Sequence, residues 1–316
     1  MNPKISVIIL TYNRPQFLER SVRSILTQTF SDFELILINN GSDDSGATSA
    51  ACEKLCTEYN KIKFISRKNN NIGAGRNAGI NASKGEYIAF VDDDDYAYSD
   101  MLSFLYKLIT LHQADISFCG SDKEVMGSIT QQFIFNELLI MEPEKAVYEL
   151  LERRLLNLAT PTKLFRKVLF NSLRFSETDK YDDISLTYKL FIYAIRIVGL
   201  GIPQYCFVRH SSNNSGFTDA DTLLKPEQLE SYFAAYRERT IYISEKLPNI
   251  AEYAKYSEWS FLLSMYHKMV INNITNCSSQ LEYTKKYLKE TGDYYVTSLF
   301  VKPFELEYLQ FFNKSK

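Results

Sequence analysis

Between residues 4 and 119, short apolar runs rich in β-branched residues alternate with helix-patterned stretches, and this alternation constrains the fold more than any other feature. Lys4–Leu10 is a continuous run of the kind found in a buried parallel strand. Pro15 then opens a helix to about Gln28, with Phe17, Val22, Ile25 and Leu26 on one side. The spacing predicts further strands at Phe33–Ile38, Ile62–Ser66, Tyr87–Val91 and Asp115–Cys119. Helices are predicted between them at Asp43–Tyr59, Ala74–Ala82 and Met101–His112. Such βαβ order implies an α/β fold, a Rossmann-like and mostly parallel sheet flanked by helices. Ligands of these sheets bind beyond the carboxyl ends of the strands. The segments to inspect are therefore Thr11–Asn13, Asn39–Asp44, Ser66–Asn77 and Asp92–Asp95.

The texture changes near residue 218. Leu229, Phe233, Tyr236, Thr240, Ile243 and Leu247 recur at spacings of three and four, which is one helix face. Pro248 breaks that helix, and Ile250–Ile274, Gln280–Lys289 and Glu305–Phe312 are also helical in pattern. We expect a first domain over 1–218 and an α-helical C-terminal region over 219–316. That region has no motif. Oligomerisation into a homo-oligomer, acceptor binding and membrane docking are the roles open to it.

Composition excludes some classes. With 316 residues and 45% hydrophobic content, the chain can bury a sizeable core. A net charge of -2, with Lys and Arg scattered, lacks the basic face of a nucleic-acid binder. Five irregularly spaced cysteines do not make a disulfide framework and fit a reducing, cytoplasmic compartment. No apolar run approaches the length of a membrane span, which leaves peripheral contact at the inner face of a membrane as the membrane-associated option.

Two segments carry chemistry. Asp92-Asp93-Asp94-Asp95 places four consecutive carboxylates directly after a buried strand. Two such charges about 6 Å apart repel by about 3 kcal/mol at an effective dielectric of about 20. Water or a cation must offset that cost. Oxygen ligands at a cleft rim suit Mg²⁺ or Mn²⁺, while a solvated acidic turn is the alternative. The second segment, Asn69–Gly79, is rich in small residues, which let backbone approach a ligand and expose amides at a helix start. Gly73-x-Gly75-x-x-x-Gly79 departs from the dinucleotide fingerprint by one residue and follows the wrong strand. Arg76 can neutralise a pyrophosphate or form an ordinary ion pair at the helix start.

The ordered set Val7–Arg14, Leu37–Ser45, Asn71–Gly73 with Arg76–Gly79, and Lys84–Asp95 resembles the family-2 glycosyltransferases of the bacterial polysaccharide and lipopolysaccharide type, which have the GT-A fold. The resemblance is strong over residues 3–120, weaker to about 216, and absent beyond. It implies a nucleotide pocket lined by Thr11, Tyr12, Asn13, Arg14, Asn40, Asn71, Gly73, Arg76, Asp92 and Asp93. Asp92-Asp93-Asp94 looks like the family's DxD motif, which makes Asp94 the main ligand of Mn²⁺ or Mg²⁺, helped by Asp92. One departure is Asn39-Asn40-Gly41-Ser42, where the family usually has Asp-Asp-Gly-Ser. Asn40 can still hydrogen-bond a uracil imide, and a thymine would present the same edge.

Thr160–Arg166 resembles the segment that often carries an acceptor-stacking tryptophan in the family; that aromatic is missing here. Tyr181-Asp182-Asp183-Ile184 looks like the family's acidic pair, which makes Asp183 the catalytic base. As plain sequence, the two aspartates favour a helix start. Tyr205–Ser211 resembles the family's late strand and loop, from which Arg209 or His210 could reach pyrophosphate or metal. The resemblance thus implies an inverting transfer of a hexose or N-acetylhexosamine from a UDP-sugar to a glycan or lipid-linked saccharide acceptor. Two other classes stay open: a nucleotidyltransferase acting on sugar phosphates, and a non-catalytic carbohydrate-binding protein on the same fold.

Overall fold

The computed structural model describes residues 2–68, 71–178, 182–210, 213 and 224–314. Asn69, Asn70, Tyr181, Ser211 and the expected boundary at 218 lie outside the described residues. The chain divides into two compact units, 1–210 and 211–316.

In the first unit, β1 (Ile5–Thr11), β2 (Phe33–Asn40), β3 (Ile62–Arg67) and β4 (Tyr87–Asp92) form a parallel sheet in the order β3-β2-β1-β4. Strand β1 is central because both its faces are apolar. Ile5, Val7 and Ile9 join Leu18, Val22 and Ile25 of helix α1 (Pro15–Leu26) in one core. Ile8 faces the opposite layer, where α3 (Ile72–Ala82) packs. A Cβ on Gly79 would fall 2.5 Å from Ile8 Cγ2, so only glycine lets α3 lie this close to the sheet. Each such fully buried aliphatic contributes about 1.5–3 kcal/mol.

Two expectations are corrected here. Helix α2 runs over Ala47–Glu58 and does not start at Asp43, because Ser45 and Gly46 have φ of 55° and 89° and form a left-handed turn. Asp44 instead caps the turn, its carboxylate accepting from Thr48 N at 3.0 Å. Phe17 is not on the buried face of α1, which is made by Leu18, Ser21, Val22 and Ile25.

Beyond a short β5 (Tyr96–Ala97) and α4 (Met101–Leu111), the sheet becomes mixed. β6 (Ile116–Val125) extends well past the predicted Cys119 and turns at Gly127 into β7 (Ser128–Gln132). After β8 (Leu139–Met141) and α5 (Pro143–Glu152), β9 (Lys163–Arg166) inserts antiparallel between β4 and β6. Helix α6 (Asp182–Tyr193) leads to β10 (Ile197–Arg209), parallel to β6. The carboxyl ends of β1, β2, β4, β6 and β10 therefore open on one edge.

The second unit contains α7 (Pro226–Lys246), α8 (Ala251–Ile271), α9 (Ser278–Val296) and α10 (Pro303–Lys314). Leu229 and Phe233 pack with Leu262 and Met269 of α8, Tyr236 stacks on Phe261, and Thr240 Oγ1 donates to Ala254 O, so these stripe positions pack inside the unit. Trp259 of α8 is fully buried and stacks on Tyr295 of α9 with ring centroids 4.9 Å apart. Glu305, at the start of α10, is fully buried and accepts from Tyr256 Oη at 2.7 Å and Lys302 N at 2.8 Å. Among the described residues, no helix is long and apolar enough to cross a membrane. All five cysteines are free thiols.

Candidate active site

Three loops meet at the carboxyl ends of β1, β2 and β4. Asn13 has a left-handed backbone, φ 54°, which turns the chain from β1 into α1. Its amide N–H donates to Ser42 Oγ at 3.0 Å, and its side-chain oxygen accepts from Asp43 N at 3.0 Å. Tyr12 reaches Asp43 from the same side. Thr11, Asn39 and Asn40 are buried at the strand ends. Asn40 Nδ2 donates to the carbonyl of Asn71 at 2.9 Å. Asn71 caps α3, accepting from Ala74 N at 2.8 Å. Gly73 and Gly75 are required by close approach: a Cβ would meet Ser176 O at 2.0 Å or Asn40 Oδ1 at 2.7 Å.

Basic groups answer the acidic strand end. Arg14 Nη1 donates to Asp94 Oδ2 at 2.7 Å and lies 3.3 Å from Asp93 Oδ1. Arg76 is buried over the faces of Phe90 and Phe175 and approaches Asp92 at 3.4 Å. His210 Nε2 sits 3.1 Å from Asp94 Oδ2. Asp95 has a different role. It accepts from Tyr205 Oη at 2.9 Å and Val208 N at 2.8 Å, tying β10 to the end of β4.

The cluster is electrostatically crowded. Burial, and then the Asp94 charge, push the Asp93 carboxyl up to about 7 against the pull of Arg14. Burial and the charges of Asp92 and Asp94 raise Asp95 well above the usual carboxylate range. Asp92 is raised by the surrounding protein, and by Asp94 and Asp183, while Arg76 lowers it. Its side chain keeps 41% exposure, so water screens much of that effect. Asp183, at the start of α6, is near enough for its charge to add to the repulsion at Asp92.

The structure therefore brings together Arg14, Arg76, Asp92, Asp93, Asp94, Asp183 and His210. Thr11, Tyr12, Asn13, Asn40, Asn71 and Gly73 lie along the adjoining strand ends. Arg209 ends β10 beside His210. A hollow of about 530 Å³ between Leu111, Ile140 and Ile195 is lined by none of these groups. Sequence reasoning missed Asn77, whose side chain donates to Phe175 O at 2.9 Å and accepts from Phe175 N at 3.1 Å. It also missed the Tyr205–Asp95 tie and Arg20, which donates to Asp94 O at 2.7 Å. For Asp95 a signal existed, since it is the fourth carboxylate of a run whose first three already had roles.

Among the described residues, no three His, Cys, Asp or Glu side chains converge into a ready-made metal cage. Mg²⁺ and Mn²⁺ bound with nucleotides rarely need one, because they take one or two carboxylates and complete their shell with phosphate oxygens and water. Asp94, with the imidazole of His210 3.1 Å from its Oδ2, offers two donors of that kind, and Asp92 ends β4, in a cluster where burial and neighbouring carboxylates raise Asp92 and Asp93. The residues present fit such a cation.

The profile of Glycosyl transferase family 2 matches residues 6–174. Glycosyltransferase GlyG of Streptococcus pneumoniae serotype 4 is 30% identical over 222 residues, covering 67% of this chain and 73% of that protein. Glycosyltransferase GlyA of the same organism is 29% identical over 231 residues, covering 69% of this chain and 32% of GlyA, so the chain spans about a third of that relative's length. Among solved structures, S. aureus TarS in complex with UDP-GlcNAc matches with a TM-score of 0.65 and 23% identity over 92% of this chain and 80% of that one. The mannosyltransferase PcManGT from Pyrobaculum calidifontis, in complex with GDP-Man and Mn²⁺, matches with a TM-score of 0.55 and 14% identity over 93% of this chain and 76% of that one. These two likenesses show the fold: a mixed sheet flanked by helices, of the GT-A kind. With the family profile covering more than half of its length, the chain belongs to glycosyl transferase family 2.

Proposed function

We propose that the chain is an inverting hexosyltransferase that moves a hexose or N-acetylhexosamine from a UDP-sugar to a glycan or lipid-linked saccharide in polysaccharide assembly. One observation carries this reading: Arg14, Arg76 and His210 converge on Asp92 and Asp94 at a strand end where the charge of Asp183 is also felt. A carboxylate base and a phosphate-and-cation site then flank one reacting centre, which is what single displacement at an anomeric carbon requires.

In this reading, Thr11, Tyr12, Asn13 and Asn40 hold the base and ribose, and the amides at the start of α3 lie toward the phosphates. Arg76, held against two aromatic rings, presents a pre-organised positive charge to the pyrophosphate. Asp94, Asp92 and His210 would hold Mn²⁺ or Mg²⁺. When bound, that cation supplies charge neutralisation for the departing nucleoside diphosphate. Asp183 accepts the proton of the attacking acceptor hydroxyl. Attack from the face opposite the leaving group inverts the anomeric carbon.

Support for a uridine donor comes from the TarS relative, crystallised with UDP-GlcNAc. A nucleotidyltransferase is disfavoured by Thr11–Pro15, which stands where a Gly-rich, Lys-bearing loop would follow the first strand. A thermal-shift screen of nucleotide sugars with Mn²⁺ tests the proposal. UDP-sugars should raise the melting temperature and release UDP on turnover. Release of pyrophosphate, or no stabilisation by any nucleotide sugar, would contradict it.

A further inference from the structure

One aromatic contact beside the acidic strand end has no part in the chemistry above. The ring of Phe17 lies on the imidazole of His210, with centroids 4.3 Å apart and planes inclined by 29°. Phe17 belongs to the first turn of α1, immediately after Arg14, whose Nη1 contacts the same Asp94 oxygen that His210 approaches. It is off the buried face of its helix, so core packing does not require an aromatic there. His210 stands just past the last paired residue of β10, Arg209, where the sheet no longer fixes the chain. The χ2 torsion of a histidine is soft, so side-chain contacts decide where Nε2 points. The face of Phe17 and the carboxylate of Asp94 both bear on it among the described residues.

We propose that Phe17 is a positioning residue that holds the His210 imidazole with Nε2 toward Asp94, and so sets the affinity of this site for a divalent cation. The inference rests on the functional reading above, in which Asp94 and His210 hold the cation.

The test is electron paramagnetic resonance of Mn²⁺ added with UDP to the full chain, comparing wild type with Phe17→Leu, Phe17→Ala, Phe17→Tyr and His210→Gln. Wild type should show nitrogen modulation from an imidazole on bound Mn²⁺, and His210→Gln should lack it. Phe17→Leu keeps bulk but not the flat face. It and Phe17→Ala should lose about 2- to 10-fold in Mn²⁺ affinity, the range expected of one aromatic stack, together with much of the nitrogen modulation. Phe17→Tyr should restore both, and UDP affinity without metal should be unchanged in the three Phe17 variants. Failure of wild type to bind Mn²⁺ with UDP would overturn the functional reading itself. Mn²⁺ binding without nitrogen modulation in wild type, or with unaltered affinity and modulation in Phe17→Leu and Phe17→Ala, would overturn the role of Phe17.

Discussion

Arg14 Nη1 donates to Asp94 Oδ2 at 2.7 Å, so the carboxylate proposed as the main cation ligand carries an internal counter-ion from the residue just before α1. The pair is almost withdrawn from water, with side-chain exposures of 17% and 8%. A buried carboxylate without a partner is costly, and the arginine offsets part of that cost.

Asp183→Asn tests the base. The variant keeps the shape of the side chain and loses proton acceptance. Transfer should fall by about 10²- to 10⁴-fold, the usual share of general base catalysis, while metal-dependent UDP binding stays within about twofold. Rates of UDP release and calorimetric titration measure the two quantities. Near-normal turnover would remove Asp183 from the role.

Gly73→Ala tests the fit of α3 against the 175–177 segment. The added Cβ would fall 2.0 Å from Ser176 O, a backbone atom that cannot move alone. Backbone displacement of this kind costs about 1–3 kcal/mol. Melting temperature should drop and UDP affinity should weaken, because Asn77 links the same segment to the helix. An unaltered melting curve would show that the segment is not fixed there.

Lys163 predicts a pH dependence of stability. Its ammonium is fully buried, donates to Ala159 O at 2.6 Å and Asn157 Oδ1 at 3.2 Å, and burial lowers its pKa to about 7. In the unfolded chain the group titrates near its ordinary value, about 10.4. Between these values the unfolded state binds the extra proton, so this group's contribution rises with pH across that window and is a constant penalty below it. The gain is at most about 1.4 kcal/mol per pH unit. Lys163→Met should flatten the pH dependence of chemical denaturation between pH 7 and 10. Identical slopes in the two proteins would contradict the assignment.

The sequence made the site legible where chemistry follows from position along one strand. Asp92, Asp94, Thr11 and Asn40 could be named because polar residues at the carboxyl ends of parallel strands face the ligand edge. Arg14 and Arg76 were legible as charges beside that edge, though not their partners. Contacts that depend on the second half of the sheet were hidden. The pairing of β10 with β6 shifts register between Leu200 and Tyr205, and that irregularity decides that Tyr205 meets Asp95. Phe17 reads as one more apolar residue of an amphipathic helix. Only its rotation off the core face, towards a histidine from the end of β10, reveals the contact. The antiparallel insertion of β9 was equally invisible, since Lys163–Arg166 has only two apolar residues, set between two charged ones.

The most direct test of the central claim is calorimetric titration of UDP, with and without Mn²⁺, into wild type and Asp94→Asn. The account predicts that Mn²⁺ tightens UDP binding to wild type by about tenfold or more, through charge shared between carboxylate and diphosphate, and has little effect on Asp94→Asn. Equal UDP affinities with and without Mn²⁺ in wild type, or the same Mn²⁺ effect in both proteins, would contradict it.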